Sequence, residues 1–508
     1  MTVVATQMKA KNQHATCSLT AACGIATPKR KATVTVLRRR TSSKVDATPG
    51  RQALSLVNRN RYGLCLDAAS SHGGATRFLG KQRDEENGFK LHASQSSTTE
   101  TSPVSEISGK MKDLVLSWVN IFKSAISNLS VKQVVFTIAA KLGLWKIPLL
   151  PFLSSGKHLK GLVNSFATLG IIGKKTAWTF EGLYNNYRNA VVNQNPGVDE
   201  AKVVQIMKQI LTRVFKEFVD PYEFPSYHSR MLEPYNYYDF GQIYCYCMID
   251  FKNSYIGHLD RFEEMEAQLK NGENVILLAN HQSEADPGVW ANMLEKRMPD
   301  LAENIIYVAG DRVVTDPLAK PFSMGRNLLC VHSKKYIDAD PKNKSKKMKQ
   351  NRATLSRMQK MLNEGGNLIW IAPSGGRDRP DDQGNWKPST FDETTVALMY
   401  RLGSSAKSKT NFYPFAMWSW KIMPPPTKVV VELGEERIIN HSGVGISLAE
   451  QLDIEKITKD IDSGDKAAVA KAITDATWEE MNKEYVKLDK AITSNAGSAM
   501  QSEGLILV

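Results

Sequence analysis

The stretch ANHQSEADPGVW, residues 279–290 of this 508-residue chain, sets one histidine and one aspartate five positions apart. His281 follows the aliphatic run VILLA with only Asn280 between, and Asp286 stands before Pro287. An imidazole with a carboxylate on one ring nitrogen is held in one tautomer, and its other nitrogen can then take a proton from a hydroxyl. Aspartate followed by proline is also a common way to begin a helix. The spacing alone leaves both readings open. No GxSxG elbow supplies an enzyme nucleophile, so a proton-transfer role for His281 requires a substrate hydroxyl to attack.

A second polar feature is IAPSGGRDRP, residues 371–380. Its two glycines permit tight turns, and Arg377 and Arg379 project to the same side if the segment is extended. Paired guanidiniums fork well onto a phosphate, although a surface turn with solvated arginines has the same composition. In LLCVHSKKYID, Lys334 and Lys335 follow another aliphatic run and can add point charge to the same anion. The basic run continues through Lys342, Lys344, Lys346, Lys347 and Lys349 along an expected helix. That helix is either a solvated face or a docking surface for an acidic carrier protein. Neither a metal-ligand constellation nor a Gly-rich nucleotide loop is present, so no cofactor or metal is expected. A base, an anion clamp and no nucleophile together suit transfer of an activated group to the hydroxyl of a phosphorylated small molecule.

These residues need elements to hold them. Short aliphatic runs at 274–280, 304–310, 327–332, 366–373, 411–418 and 428–434 predict strands, with helices expected at 261–270, 342–363 and 392–402. Continuous aliphatic strands alternating with helices predict an α/β domain, spanning 221–508, whose sheet is mixed or parallel, largely buried and flanked by helices. Ligands of such sheets sit at the carboxyl ends of the strands, where each polar motif falls. Before it, 111–220 reads as a smaller helical domain, because apolar residues between 174 and 218 recur at three and four. The apolar stretch 114–153 is broken by Lys141, Lys146, Pro148 and Pro151. It suits amphipathic helices in a bundle or on a membrane surface better than a span.

Residues 85–110 are a polar linker. From 1 to 84 the chain is rich in Ala, Ser, Thr and Arg, with no acid before Asp46. That is the composition of an organelle transit peptide, for which a basic disordered tail is the alternative. Up to residue 80, thirteen Lys and Arg stand against Asp46 and Asp67, which places +11 of the formal +14 there. The remaining chain gives no reason to expect a nucleic-acid partner. The six cysteines show no CxxC or Cys/His spacing and suit a reducing compartment.

NHQSEADP, with VAGDRVVTDPLAKPFSMGRNLLCVHSKK and LIWIAPSGGRDRPDD around it, resembles the His-x4-Asp glycerolipid acyltransferases. The likeness is to the soluble plastidial glycerol-3-phosphate acyltransferases in particular, and it runs from about residue 183 to about 439. The resemblance implies a stromal enzyme that moves a fatty acyl chain from acyl carrier protein, or coenzyme A, to the sn-1 hydroxyl of glycerol 3-phosphate. It also implies a small helical domain before a larger α/β domain. By the resemblance His281 and Asp286 are catalytic, and Lys335, Arg377 and Arg379 bind the phosphate. Tyr336 stands where the family usually has histidine, and a phenol donates a hydrogen bond there without a charge. Backbone amides at the following helix start, with Ser283, are the expected oxyanion donors. An acyl-thioester hydrolase using the same pair and a basic membrane-surface protein are the alternatives.

Overall fold

The computed structural model describes residues 154–168, 172–333, 337–338, 340–426 and 436–508. The expectations for the presequence, the linker, the apolar stretch 114–153, Lys334, Lys335, Tyr336 and the strand at 428–434 lie outside the described residues.

The helical part comprises α1 (Gly156–Thr168), α2 (Lys174–Gln194) and α3 (Glu200–Val219). On α2 the buried positions Ala177, Phe180, Tyr184, Tyr187 and Val191 recur at three and four, which makes one apolar stripe. α3 begins at Asp199, whose side chain accepts from the Lys202 N–H at 2.8 Å, and Glu200 complements the helix dipole in the first turn. Secondary structure changes character near residue 220, but the packing does not divide there. One apolar cluster runs from Leu159 and Val191 through Tyr244 to Leu277 and Phe415. Tyr187 stacks on Tyr244 at 4.6 Å between ring centroids and donates its hydroxyl to the Tyr244 carbonyl at 2.9 Å.

The α/β part runs in the order β1 (Tyr227–His228), α4 (Tyr237–Tyr246), β2 (Tyr255–Gly257), α5 (Leu259–Lys270), β3 (Asn274–Ala279), α6 (Asp286–Leu294), β4 (Ile306–Ala309), β5 (Asn327–Cys330), α7 (Lys344–Glu364), β6 (Leu368–Ile371), α8 (Glu393–Ser404), β7 (Thr410–Trp418), β8 (Gly445–Leu448), α9 (Lys466–Thr493) and β9 (Leu505–Leu507). Its sheet has the order β1-β5-β4-β6-β3-β7-β8-β2-β9. The five strands β5, β4, β6, β3 and β7 pair parallel. Antiparallel partners flank them, β1 on β5 and β8 on β7. The sheet is therefore mixed and buried on both faces, as the aliphatic runs imply.

Alternation along the strands supplies two cores. Leu277, Ala279, Trp370 and Phe415 face α4, α6 and the N-terminal helices. Ile276, Leu278, Ile369 and Phe412 face α7, α8 and α9. The strands at 274–280, 304–310, 327–332, 366–373 and 411–418 and the three expected helices are all present, with ends within two residues of those expected. The strands β1, β2, β8 and β9, two to four residues long, lie outside the strands that the aliphatic runs predict. Among the described residues no helix is long and apolar enough to cross a membrane.

Candidate active site at the carboxyl edge of the sheet

The loop after β3 is anchored at Asn280. Its amide donates to the Met417 carbonyl at 2.9 Å and its carbonyl accepts from the Met417 N–H at 2.8 Å, so the loop leaves the sheet tied to β7. His281 follows, with Nδ1 at 2.7 Å from Asp286 Oδ2. The carboxylate also accepts from the N–H of Gln282 at 2.9 Å, the N–H of Ser283 at 3.1 Å and the Ser419 hydroxyl at 2.5 Å. Asp286 is 2% exposed, whereas the His281 side chain is 26% exposed. Four partners fix the buried carboxylate in place, and as it accepts on both oxygens it faces Nδ1 of His281 as an acceptor. Nε2 makes no hydrogen bond among the described residues, and the ring stands edge-on to Trp370 at 5.6 Å.

Asp286 does begin a helix, as the Asp-Pro step implies, but its side chain does not cap it. Asp286 is the first residue of α6, and Ala285 before it provides no side-chain cap. The carboxylate turns backwards to the N–H groups of Gln282 and Ser283 instead of forwards along the helix. α6 tolerates this because its own face is apolar and fully packed: Val289, Trp290, Met293 and Leu294 are buried. Each such side chain contributes about 1.5–3 kcal/mol. Gly288 allows the close approach to α4, since a Cβ there would lie 2.2 Å from Cys245 Sγ.

Ser283 is fully buried. Its hydroxyl donates to the Met423 carbonyl at 3.2 Å and accepts from the Ala285 N–H at 3.1 Å. The N–H groups of Asp286, Gly288 and Val289 are likewise spent on the Ser283 and Ala285 carbonyls. Ser283 thus shapes the loop, and the helix start has no amide left at these positions for an oxyanion. Gln282 braces the loop from the other side: it donates to the Tyr485 hydroxyl of α9 at 3.1 Å and accepts from the Ser419 N–H at 2.9 Å.

After β6 the chain turns at Gly375, whose φ of +71° is left-handed. Asp378 then points inward. Its N–H donates to the His281 carbonyl at 2.6 Å, and its carboxylate accepts from the Ser389 N–H at 2.9 Å and the Asn280 amide at 3.2 Å. Burial pushes this carboxyl above its ordinary range, against the pull of those donors. With Asp378 inward, Arg377 and Arg379 lie on the opposite side of the segment, as two-residue spacing in an extended stretch requires, and the Arg377 side chain is itself only 10% exposed.

The two guanidiniums make different contacts. Arg379 Nε donates to the Pro426 carbonyl at 3.2 Å and Nη1 to the Arg377 carbonyl at 2.6 Å, which stiffens the turn. Arg377 reaches the loop after β3, with Nη1 at 3.6 Å from Glu284 Oε1. The other oxygen of Glu284 accepts from Arg437 Nε at 2.9 Å, and Arg437 Nη2 donates to Asp316 at 3.1 Å. Burial alone would raise the Glu284 carboxyl, but Arg437 and Arg377 outweigh it and hold the group below its ordinary range. Burial of Arg437 opposes its charge, and Glu284 and Asp316 more than compensate. Glu284 and Arg437, 153 positions apart, are site residues that local sequence reasoning passes over.

A second pair, His332 and Asp311, lies at the ends of β5 and β4. Asp311 bonds His332 Nδ1, and Gln350 Oε1 of α7 lies 2.9 Å from Nε2. Asn351 accepts from the His332 N–H at 2.8 Å. Burial pushes the thiols of Cys245 and Cys330 up to about 12, so neither offers a thiolate. Among the described residues no group of three or more His, Cys, Asp and Glu is placed to hold a metal.

The profile of the Acyltransferase family matches residues 261–418, the span that carries β3 to β7, and that of the glycerol-3-phosphate acyltransferase N-terminal region matches residues 154–222. The chain is 42% identical over 345 residues to the chloroplastic glycerol-3-phosphate acyltransferase of Spinacia oleracea, covering 68% of this chain and 73% of the relative. It is 45% identical over 332 residues to that of Carthamus tinctorius, covering 65% and 71%. For that of Arabidopsis thaliana the identity is 42% over 344 residues, covering 68% and 74%. A histidine held by a buried aspartate at the end of β3, an arginine-bearing turn after β6 and this breadth of likeness place the chain in the family of chloroplastic glycerol-3-phosphate acyltransferases.

Proposed function

We propose that the protein transfers a fatty acyl group from the thioester of acyl carrier protein to the sn-1 hydroxyl of glycerol 3-phosphate in the plastid stroma, forming lysophosphatidate. The observation that carries this reading is His281, bound through Nδ1 by a buried carboxylate and open at Nε2. Nε2 takes the proton of the sn-1 hydroxyl as the oxygen attacks the thioester carbonyl. Asp286 offsets the charge that develops on the ring. The carbon–sulfur bond breaks as the ester forms, and the proton on His281 passes to the departing thiolate, which returns the ring to its starting state.

Arg377 recognises the phosphate by exchanging its 3.6 Å contact with Glu284 for a closer one with the dianion. Arg379 holds the turn and adds charge, and Lys335, assigned by the family pattern, completes the anion site from the segment after β5, with Tyr336 next to it as an uncharged donor in place of the family's histidine.

Glu284 keeps Arg377 aimed while the site is empty, because it is itself secured by Arg437 and Asp316. The test is acyl transfer to labelled glycerol 3-phosphate, with the same acyl chain presented on carrier protein and on coenzyme A. Arg377→Ala is expected to raise the KM for glycerol 3-phosphate about ten- to a hundredfold, the equivalent of losing a hydrogen bond to a charged group. Release of free fatty acid at the same rate with and without glycerol 3-phosphate would identify a hydrolase instead.

A further inference from the structure

Helix α7 carries a charge pattern that its own stability does not explain. From Lys342 to Asn363 the chain has eight Lys and Arg and no acid. The first turn of the helix lacks an acidic residue, and Asn343 gives it no side-chain cap. Cations at a helix N-terminus oppose the helix dipole, and lysines three and four apart repel one another. The neighbouring helices are built the opposite way. Asp199, Asp392 and Asp465 cap α3, α8 and α9, and Glu200 and Glu393 follow in the first turns of α3 and α8.

The basic half of α7 is also its unburied half. Buried residues begin only at Thr354 and continue with Met358, Met361 and Leu362. Lys347, Gln350 and Asn351 lie on the side towards the body, where Gln350 and Asn351 hold His332. Lys344 and Lys347 pair with Asp338 and Asp340. Lys346, Lys349 and Arg352 are exposed and make no ion pair among the described residues. Met348, 39% exposed, sits among them as an apolar contact.

This face borders the edge of the sheet where the chemistry sits. The helix is pinned to the carboxyl end of β5, which is three strands from β3, about 14 Å at the usual strand spacing of about 4.8 Å. A macromolecule seated on α7 could therefore extend a flexible thioester arm along the edge to His281.

We propose that the outer face of the first half of α7, with Lys346, Met348, Lys349 and Arg352, is the docking surface for an acidic protein that carries the acyl thioester on such an arm. The surface rests on the carrier-protein donor proposed above. Its chemistry is an exposed cationic ridge around one apolar side chain, which an acidic helix complements, and the attraction works mainly through encounter rate and weakens with salt.

The test uses the full chain with Lys346→Glu, Lys349→Glu and Arg352→Glu combined, checked by circular dichroism and thermal midpoint against the parent protein. Initial rates are measured with one acyl chain on holo-carrier protein and on coenzyme A, which shares the arm and lacks the protein. The expected result is a KM for the carrier donor raised about tenfold or more at low salt, with kcat and the KM for the coenzyme A donor within about twofold. The parent protein's carrier KM should rise steeply between low and high salt, and the variant's should not. An unchanged carrier KM in a folded variant overturns the docking surface and leaves the donor assignment standing. So does an equal loss with both donors, which would place the effect on the shared arm. A parent protein that transfers from coenzyme A alone overturns the donor assignment and the surface with it.

Discussion

Two histidine–aspartate pairs stand on one sheet edge, and their second ring nitrogens meet opposite fates. In both, Nδ1 faces a carboxylate, from the same loop for His281 and from the loop after β4 for His332. His281 keeps Nε2 open beside the arginine-bearing turn, whereas His332 has Nε2 occupied by Gln350 and its own N–H tied to Asn351. An imidazole can act as a base only through a nitrogen that a substrate can reach. The first pair therefore has the geometry that the proposed proton transfer needs. The second fastens the end of β5 to α7. A His–Asp contact thus says little about function until the other nitrogen is accounted for.

Substitutions at the two pairs should separate these roles. His281→Ala is expected to lower kcat about a thousandfold or more while the thermal midpoint stays near that of the parent, because Asp286 keeps three other donors. Asp286→Asn should cost almost as much, about a hundred- to ten-thousandfold in kcat with little change in the KM for glycerol 3-phosphate. Its amide cannot accept from both backbone N–H groups and still hold Nδ1 as a donor. Either variant retaining near-parent kcat would remove the pair from the chemistry.

His332→Ala should act on stability first, lowering it by about 1–3 kcal/mol in denaturant titration because Asp311 is left buried without its partner. It should lower kcat less than tenfold, and its KM for glycerol 3-phosphate should rise as the basic segment loosens. The sharpest version is the double variant His281→Ala with Gln350→Ala, which opens Nε2 of His332. It is expected to stay inactive, since the arginine turn and Glu284 surround the other histidine, and recovered transfer would show that an open nitrogen is sufficient. The smallest effect belongs to Ser419→Ala, which removes one of the donors to Asp286 and should lower kcat about three- to tenfold.

The central strands could be read from the chain because burial on both faces turns each into a continuous run of aliphatic residues. β1 (Tyr227–His228), β2 (Tyr255–Gly257) and β8 (Gly445–Leu448) carry no such run, being broken by polar residues and glycine, and the pairing partners of β1 and β2 lie far along the chain. β2, for example, takes its hydrogen bonds from residues 445–447 and 505–507. The same division holds within the site. His281 and Asp286 sit in one tight loop, so their spacing forecasts a contact that local backbone geometry can close. Glu284 lies in the same motif, but its meaning depends on Arg437, in a charged stretch that no local rule connects to it.

From sequence alone came the α/β class, the central strands, the residues able to move a proton and the arginines able to meet a phosphate, because these follow from residue type and short-range period. Only the tertiary structure decided that the Asp286 carboxylate folds back onto the loop, that Ser283 and the helix-start amides are already spent, and that Arg377 waits on Glu284. It alone distinguished His281 from His332. The reason is physical: a hydrogen bond's partner is chosen by proximity in space, and packing brings together residues that the chain keeps more than a hundred positions apart.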